Sequence, residues 1–377
     1  MPDFYLALGA ASLAIWIYLL AARGGFWRMR DESSDAPIPG AEPAVTAVIP
    51  ARNEAAVVAE AVGSLARQQY PRELRIVLVD DASDDGTAGI ARAAAPAIRV
   101  VAAHPLPAGW TGKLWAVNEG IQAAAGDHPE YLLLTDADIV HPPRNVAGLV
   151  ARATAGGYDL VSYMVTLECR TAAEQALVPA FVFFFFQLYP PAWIRDSGKR
   201  TAGAAGGCML VRRAALEKIG GIERIRGELI DDCALAREIK RSGGKIWLGL
   251  NAGARSIRSY RTFAEVGRMI SRSAFTQLRY SWLLLAGTVA GLAVTYLAPP
   301  LVTILAPQGP ASGMAALAWL LMSIAYFPAV RFYRRPWFWT MTLPLAAVFY
   351  LGATLHSAWT HWRGRGGLWK GRVQAVK

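Results

Sequence analysis

The chain has 377 residues, of which 54% are hydrophobic and 18% charged, and its formal net charge is +11. This composition is too apolar for an ordinary soluble enzyme, so membrane segments are expected. The basic excess fits contact with anionic lipid headgroups, at about 1 kcal/mol per Lys or Arg near the surface, and nothing indicates a nucleic-acid-binding protein. The cysteines are odd in number and lack CxxC spacing, which argues against structural disulfides and zinc and favours a reduced, cytosolic domain. They are Cys169, Cys208 and Cys233.

The first apolar run, residues 4–22, carries no charge and is long enough to cross a bilayer core of about 30 Å. Arg23, Arg28 and Arg30 follow it, whereas only Asp3 lies where a secretory signal would carry positive charge. We therefore predict a transmembrane anchor over residues 1–24, with the amino terminus outside and residue 23 onward in the cytoplasm. A cleaved signal peptide is the alternative.

The central region alternates short β-rich runs with helical patterns. Predicted strands cover 44–50, 74–81, 98–103 and 131–138, and predicted helices cover 54–69, 87–95 and 113–125. Strands separated by single helices imply right-handed crossovers and a mostly parallel sheet, so the predicted fold class is α/β.

Ligands of such sheets bind beyond the carboxyl ends of the strands. Side chains at i and i+2 of an extended segment share a face, so Asp136 and Asp138 would point the same way and repel unless a hard divalent cation lies between them. A solvated strand end is the alternative. His141 could also ligate the ion, although a loop histidine is more often a bystander. The polar residues that follow the strands are Arg52, Asn53, Glu54, Asp80, Asp81, Asp84, Asp136 and Asp138.

The sequence also limits the kind of ligand. GxGxxG is absent after the first strand and GxxxxGK[ST] is absent throughout, which excludes phosphate binding by a Gly-rich turn. A metal at Asp136 and Asp138 could neutralise a diphosphate instead. Carboxylates after the second strand suit ribose hydroxyls or a base N–H, although residues 80–85 could form an ordinary polar turn. A nucleotide with a metal-bridged diphosphate fits these features.

Four more apolar segments follow. Ala180–Trp193 is too short to span a bilayer and ends in aromatic residues, so an interfacial segment is predicted over about 178–194, with a buried core helix as the alternative. Apolar runs at about 282–306, 313–330 and 336–358 indicate a membrane domain at the carboxyl end. Three simple crossings would leave the basic tail outside, so one late segment is expected to be re-entrant or interfacial. The tail's basic residues are Arg363, Arg365, Lys370, Arg372 and Lys377.

Six motifs occur in a known order: VIPARNE, VDDASDDGT, GKLWAVNEG, LTDAD, AGGCMLVRRAALEKIGG and IDDCALAREIKRSGG. In this the chain resembles membrane-anchored family 2 glycosyltransferases and is similar to the ceramide glucosyltransferase group. RSAFTQLRYS and GRGGLWKGR resemble most the members associated with hopanoid biosynthesis. The resemblance implies a cytoplasmic GT-A (Rossmann-like) domain over 42–275 and a membrane domain over 276–377, in a multi-pass protein of the cytoplasmic (inner) membrane.

The resemblance also implies roles for individual residues. Pro50 and Glu54 would line the nucleoside pocket, and Asp81 would receive the uracil N–H. Lys113 would lie near the phosphates, and Asp136 and Asp138 would form a DxD pair holding Mg²⁺ or Mn²⁺. Gly206-Gly207 would allow close backbone approach to the sugar or acceptor. The residues predicted to bind the nucleotide sugar are thus Pro50, Glu54, Asp81, Lys113, Asp136, Gly207 and Arg279.

Asp231 and Asp232 precede an amphipathic helix predicted over 234–241. A carboxylate at a helix amino terminus is stabilised as the anion by about 0.3 to 1 kcal/mol, which suits a general base. The resemblance assigns that role to Asp232, with Asp231 as its acidic neighbour. Asp232 would deprotonate an acceptor hydroxyl in a one-step inverting transfer. Simple helix capping is the alternative.

The family's QxxRW motif is altered here, since Thr276 replaces the Gln and Tyr280 replaces the Trp. The altered aromatic and the few late apolar segments favour transfer of one sugar, from a UDP-sugar to a membrane lipid of hopanoid or similar type. A polyprenyl-phosphate acceptor, a processive polysaccharide synthase and a non-enzymatic nucleotide-sugar-binding scaffold are the alternatives.

Overall fold

A computed structural model of the protein describes residues 2–34 and 42–364, together with the backbone of 368–369 and 372–373. The chain divides into two compact units. The first, called the helical unit below, contains Met1–Arg30, Cys169–Ala192 and Ser259–Gly366. The second, called the sheet unit, contains Asp31–Glu168, Trp193–Arg258 and Gly367–Lys377. The domain limits expected from the sequence stay a prediction.

The described residues form ten strands, which are numbered here in chain order. They are β1 (Val45–Ala51), β2 (Leu74–Asp80), β3 (Arg99–Ala102), β4 (Tyr131–Thr135), β5 (Ile139–Val140), β6 (Leu160–Thr166), β7 (Cys208–Arg212), β8 (Ile246–Ser256), β9 (Leu368–Trp369) and β10 (Arg372–Val373).

The α-helices are α1 (Pro2–Ala22), α2 (Val58–Ala66), α3 (Thr87–Ala94), α4 (Gly112–Ala124), α5 (Asn145–Gly156), α6 (Ala172–Leu188), α7 (Pro191–Arg195), α8 (Arg213–Lys218), α9 (Asp231–Arg241), α10 (Phe263–Ser271), α11 (Ala274–Gln277), α12 (Trp282–Leu292), α13 (Ala298–Leu305), α14 (Pro310–Phe332) and α15 (Leu343–Trp362). Short 3₁₀ segments cover Ala125–Asp127, Ile222–Ile225 and Trp337–Thr342, and a π-helical turn covers Ala293–Leu297.

The sheet unit contains an eight-stranded sheet in the order β3-β2-β1-β4-β7-β6-β8-β5. Strands β3, β2, β1 and β4 are parallel, as are β6 and β8, whereas β7 is antiparallel to both of its neighbours. Every residue of β1 is buried, as expected for a central strand covered on both faces. The predicted α/β class, with a mostly parallel sheet, is confirmed.

One feature of the fourth strand differs from the prediction. Strand β4 ends at Thr135, and the Ile139 N–H donates to the Asp136 carbonyl (3.3 Å). The DAD sequence therefore forms a turn before β5, because this local hydrogen bond replaces strand pairing. Asp136 and Asp138 therefore do not share one face of an extended strand, and the prediction that they do was wrong.

Helix α9 begins three residues earlier than predicted, at Asp231. Acidic residues occupy its first turn and basic residues its last, which complements the helix dipole. The chain leaves the helix through Gly243, whose φ of 87° lies in the left-handed region that favours glycine. The catalytic carboxylates of the prediction thus lie at a helix amino terminus.

In the helical unit, α6 is longer than the predicted interfacial run. It begins at Ala172 because Thr171 and Glu174 form a capping box, in which each side chain bonds the other's backbone N–H. Glu174 is fully buried and also accepts hydrogen bonds from Ser259 and Tyr260. The helix therefore includes Glu174, a buried and fully hydrogen-bonded carboxylate that lies before the start of the predicted segment.

Among the residues described, five helical segments are long and apolar enough to cross a membrane. They are Asp3–Ala22, Ala172–Arg195, Trp282–Leu305, Pro310–Phe332 and Trp337–Trp362. The estimate that the second was too short to span was wrong, while its interfacial location stays a prediction. Arg365, Lys370 and Lys377 of the basic tail lie outside the described residues, as does the side chain of Arg372.

Helix α1 packs closely within the helical unit. A Cβ added at Gly9 would lie only 2.8 Å from the Ala311 carbonyl oxygen on α14, so glycine is needed for this approach. The fully buried Trp16 donates its indole N–H to the Thr295 carbonyl (2.8 Å), and Ser12 donates to the Val294 carbonyl (2.7 Å). Both acceptors belong to the π-helical turn, where carbonyls are left available.

Candidate active site

Lys113 connects two carboxylates at the carboxyl end of the central strands. It lies in the first turn of α4, which is capped by the Thr111 hydroxyl. Its Nζ is 2.9 Å from Asp136 Oδ1 and 3.1 Å from Asp231 Oδ2. Burial lowers the pKa of Lys113, but the two carboxylates more than offset this and the pKa is raised. A permanent ammonium therefore lies between the DAD turn and the start of α9.

Asp232 is held by backbone donors. Its Oδ2 accepts from the Gly206 N–H (2.8 Å), and its Oδ1 accepts from the Cys233 N–H (2.7 Å). Burial and the Asp231 carboxylate raise the pKa of Asp232 to about 6, against the opposing effects of Lys113 and these N–H groups. The helix terminus alone predicted a stabilised anion, but burial and the neighbouring charge outweigh it. The carboxylate is nevertheless ionised at neutral pH.

Asp136 and Asp138 have different cationic partners. Asp138 Oδ2 accepts from the Ser256 hydroxyl (2.8 Å) and from Arg258 Nε (3.1 Å), both just beyond or at the end of β8. Arg258 also reaches both carboxylate oxygens of Glu54, at 2.7 Å each. Arg258 therefore joins Glu54 to Asp138. Burial raises the pKa of Asp136, which Lys113 opposes and Asp138 reinforces.

Sequence reasoning missed Ser256 and Arg258. Strand β8 runs parallel to β6, so its carboxyl end was a position at which ligand-binding residues are expected. The strand itself was not recognised from the sequence, because the glycines and polar residues of IWLGLNAGARS weaken its β pattern.

The predicted nucleoside-binding residues lie in loops that are hydrogen-bonded to each other. Arg52 Nη1 donates to the Asp81 carbonyl and lies 3.7 Å from Asp81 Oδ2. The Asn53 N–H donates to Ser83 Oγ (3.0 Å), and the Glu54 N–H donates to Thr87 Oγ1 (2.8 Å). The loops after β1 and β2 thus form one structure.

A cleft in the sheet unit brings several predicted residues together. Pro50, Lys113, Asp136, Gly206 and Asp231 all line it. Asp232 borders the same place, since a Cβ added at Gly206 would lie 3.3 Å from Asp232 Oδ2 and 3.5 Å from Lys113 Nζ. Gly206 therefore permits the close packing of this cleft.

The His141 side chain is buried, and other side chains bond both of its ring nitrogens. It is 3% exposed, and its ring nitrogens lie 3.0 Å from Thr135 Oγ1 and 2.9 Å from Asn145 Nδ2. Burial lowers the pKa of His141 to about 4, so the ring is neutral at physiological pH. Both nitrogens are engaged within the protein, which favours the bystander interpretation over metal ligation.

The residues of the DAD turn fit a divalent cation. Within the described part of the chain, no group of three or more His, Cys, Asp or Glu residues could enclose a metal by itself. The hydrogen bonds and ion pairs above use Asp136 Oδ1 and Asp138 Oδ2, which leaves the second oxygen of each carboxylate as a hard ligand. A cation that takes further ligands from a diphosphate and water matches this donor set.

Arg279 belongs to the helical unit and is exposed, so its predicted approach to the nucleotide sugar stays a prediction. Arg279 and Tyr280 have φ values of 51° and 56°, a strained conformation for two successive non-glycine residues. The Thr276 hydroxyl and the Tyr280 hydroxyl are 3.0 Å apart. The two positions that depart from QxxRW therefore bond to each other.

Comparison with protein families adds to this geometry. Residues 46–220 match the model of Glycosyl transferase family 2. This region, a little under half of the chain, is therefore similar to a family 2 glycosyltransferase domain. Asp231 and Asp232 lie beyond the matched range.

Relatives and solved structures agree with this domain. An undecaprenyl-phosphate 4-deoxy-4-formamido-L-arabinose transferase of Pseudomonas fluorescens is 31% identical over 44% of this chain and 45% of its own length. The probable glycosyltransferase YdaM of Bacillus subtilis is 28% identical over 52% of this chain and 45% of its own length. The chain thus spans less than half the length of these relatives.

The mannosyltransferase PcManGT from Pyrobaculum calidifontis, solved with GDP-Man and Mn²⁺, is 22% identical, with a TM-score of 0.50. The alignment covers 91% of this chain and 98% of that one. At this identity the likeness shows the fold alone, and it confirms the predicted GT-A architecture. The predicted hopanoid association and the UDP specificity stay predictions.

Proposed function

We propose that the protein is an inverting glycosyltransferase that moves one sugar from a nucleotide sugar to a hydroxylated membrane lipid. The observation that carries the proposal is the cluster around Lys113, whose ammonium contacts Asp136 and Asp231 in the cleft bordered by Asp232. The candidate donor-binding carboxylate Asp136, the Lys113 ammonium and the candidate base Asp232 thus lie close together in one cleft.

On the donor side, Asp136 and Asp138 would hold Mg²⁺ or Mn²⁺. When bound, the cation would neutralise the donor diphosphate as it becomes a leaving group. Lys113 would place a second positive charge beside the same phosphates. Pro50, Glu54 and Asp81 would bind the nucleoside, with UDP as the proposed carrier. Gly207 and Arg279 remain further candidate contacts.

Asp232 would act as the general base. The acceptor hydroxyl oxygen attacks the anomeric carbon while its proton moves to the Asp232 carboxylate, and the bond from that carbon to the diphosphate oxygen breaks. Displacement from the opposite face inverts the anomeric centre in one step. The Gly206 and Cys233 N–H groups keep the carboxylate oriented for this transfer.

The charge of the site bears on the acceptor class. A hydroxyl must lose a proton when it attacks, whereas an anionic phosphate oxygen needs no base. Asp231 lies beside Asp232 and contributes to its raised pKa, so an acceptor bound at Asp232 would have two carboxylates near it, one of them paired with Lys113. Like charge disfavours a phosphate there. A lipid hydroxyl, as in a hopanoid or similar lipid, fits better.

The alternative acceptor is a polyprenyl phosphate, which the name of the Pseudomonas fluorescens relative supports. For either lipid, the apolar helices would place the protein in the cytoplasmic membrane, with the sheet unit on the cytoplasmic side. A processive synthase and a nucleotide-sugar-binding scaffold remain alternatives without a specific structural observation in their favour.

The test uses the full chain, purified in detergent and supplied with Mn²⁺. A panel of UDP-sugars and GDP-mannose is incubated either with a hopanoid-containing lipid extract or with undecaprenyl phosphate, and products are identified by mass spectrometry. A new glycolipid bearing one sugar on a hydroxyl supports the proposal. A sugar linked to undecaprenyl phosphate alone would establish the alternative acceptor.

Asp232→Asn provides the control for catalysis. We expect it to abolish transfer while donor binding, measured by calorimetry, is retained. Undiminished transfer by this variant would overturn the base assignment. The scaffold would be favoured if the unaltered chain bound the donor but neither transferred the sugar to any acceptor nor hydrolysed the donor.

A further inference from the structure

A buried series of hydrogen bonds in the sheet unit has a fixed direction. The N–H groups of Gly253 and Ala254 donate to Asn251 Oδ1 (2.8 and 2.9 Å). Asn251 Oδ1 is therefore the acceptor, and its Nδ2 donates to Asn145 Oδ1 (2.9 Å). This leaves Asn145 Nδ2 as the atom facing His141 Nδ1, at 2.9 Å. Each amide orientation follows from the one before it.

The same reasoning fixes the imidazole and the hydroxyl. Because an amide nitrogen only donates, Nδ1 of His141 accepts, and the proton of the neutral ring lies on Nε2. Nε2–H then donates to Thr135 Oγ1 (3.0 Å), and the Thr135 hydroxyl donates to the Gly207 carbonyl (2.7 Å). The side chains of this series are between 1% and 4% exposed, so water does not compete for these bonds.

The series ends at the Gly207 carbonyl, two peptide units from the Gly206 N–H that bonds the candidate base. Gly207 is packed with little space, since an added Cβ would lie 3.2 Å from Ile139 Cδ1. The preceding residue, Gly206, donates its N–H to Asp232 Oδ2 (2.8 Å). The Gly206-Gly207 turn is thus held on one side by Thr135 and bonds the base on the other.

We propose that Thr135 and His141 are positioning residues for Asp232, acting through the Gly206-Gly207 turn. The inference rests on the proposed function, in which Asp232 takes the acceptor proton. With the Gly207 carbonyl fixed, the Gly206 N–H stays directed at the carboxylate and stabilises its charged form. Hydrogen bonding to the ionised form lowers a carboxyl pKa.

Thr135→Val tests this role, because it keeps the shape of the side chain and removes the hydroxyl. We expect kcat to fall roughly tenfold, as for a weakened hydrogen bond to a charged group, with the donor KM unchanged. The midpoint of the Asp232 titration should rise in NMR of ¹³C-labelled carboxyl groups, with Asp232→Asn identifying the signal. Asp231 on α9 and Lys113 on α4 are the charged groups that face Asp232, and the substitution changes neither of them. A shift of the Asp232 titration would therefore come from the altered Gly206-Gly207 turn.

Thr135→Ser restores the hydroxyl and should return both values toward those of the unaltered protein. Thr135→Ala removes the same hydroxyl without crowding and serves if the valine variant does not fold. An unchanged Asp232 titration in folded Thr135→Val or Thr135→Ala would overturn the inference, whatever its activity. The proposed function would fail separately if Asp232→Asn retained transfer, even where Thr135→Val shifts the Asp232 titration.

Discussion

Arg258 lies 3.1 Å from Asp138, and the same guanidinium holds both oxygens of Glu54. Arg258, which lies two residues beyond the end of β8, thus connects the second carboxylate of the DAD turn to the loop after β1. Both carboxylates are predicted to contact the donor or its metal. Arg258 therefore sets the distance between the two halves of the proposed donor site.

Arg258→Lys should weaken donor binding. Lysine keeps the charge but cannot span two carboxylates with a planar fork. We expect the donor KM to rise roughly tenfold, in line with the loss of a charge-assisted hydrogen bond. Steady-state kinetics with the active donor measures this.

Arg255→Lys is the matched control for that variant. Arg255 lies on β8, three residues before Arg258, and its ion pair with Glu60 is exposed on both sides. Exposed pairs contribute little, so this variant should behave like the unaltered chain. Equal effects of the two substitutions would show that Arg258 has no special place in donor binding.

Lys113→Met should reduce transfer strongly. It removes the ammonium between Asp136 and Asp231 and leaves their charges facing each other across the cleft. Loss of one preorganised charge at a leaving group costs on the order of 10² in kcat. Lys218→Met, at the exposed end of α8, is the control and should leave kcat/KM unchanged. Comparable rates for both variants would exclude Lys113 from the reaction.

The pH dependence of transfer should report Asp232. Its pKa is raised to about 6, and only the ionised carboxylate accepts a proton. Because this pKa is that of the free protein, we expect kcat/KM to be constant well above pH 6 and to fall tenfold per pH unit well below it, with one proton involved. A profile measured from pH 4.5 to 8 that stays flat through 6 would contradict this assignment.

Glu174 should stabilise the helical unit through its hydrogen bonds. Its side chain is fully buried and accepts from the backbone N–H groups of Arg170, Thr171 and Tyr260 and from the Ser259 hydroxyl. Removal of the carboxylate would leave these donors without their acceptor, which costs more than the bonds themselves contribute.

Glu174→Ala should therefore lower the free energy of unfolding by about 1 to 3 kcal/mol. Thermal unfolding in detergent measures the difference. Gln175→Ala, one residue along α6, removes a single hydrogen bond to the Arg170 carbonyl and should have the smaller effect. The reverse order would mean that the capping box does not stabilise this helix.

The sequence predicted the parallel half of the sheet because those four strands are apolar runs separated by helices, a pattern that local chemistry determines. It placed Asp136 and Asp231 in one cleft only through the resemblance, since they are far apart in the chain. Arg258 was not predicted because its importance arises from the pairing of β8 with β6. For His141 the sequence favoured a bystander over a metal ligand, and the structure adds that both ring nitrogens are bonded within the protein.

Helix α1 shows what the bond between Trp16 and the π-helical turn implies for the amino terminus. Because the Trp16 indole is fully buried and bonded to another helical segment, α1 is part of the packed helical unit and does more than attach the protein to the membrane. Deletion of the first 30 residues to obtain a soluble version would leave a cavity in the helical unit. It would also leave the carbonyl groups of Val294 and Thr295 without their donors. The shortest version that folds should therefore retain the leading helix, and attempts at a truncated catalytic fragment should cut elsewhere.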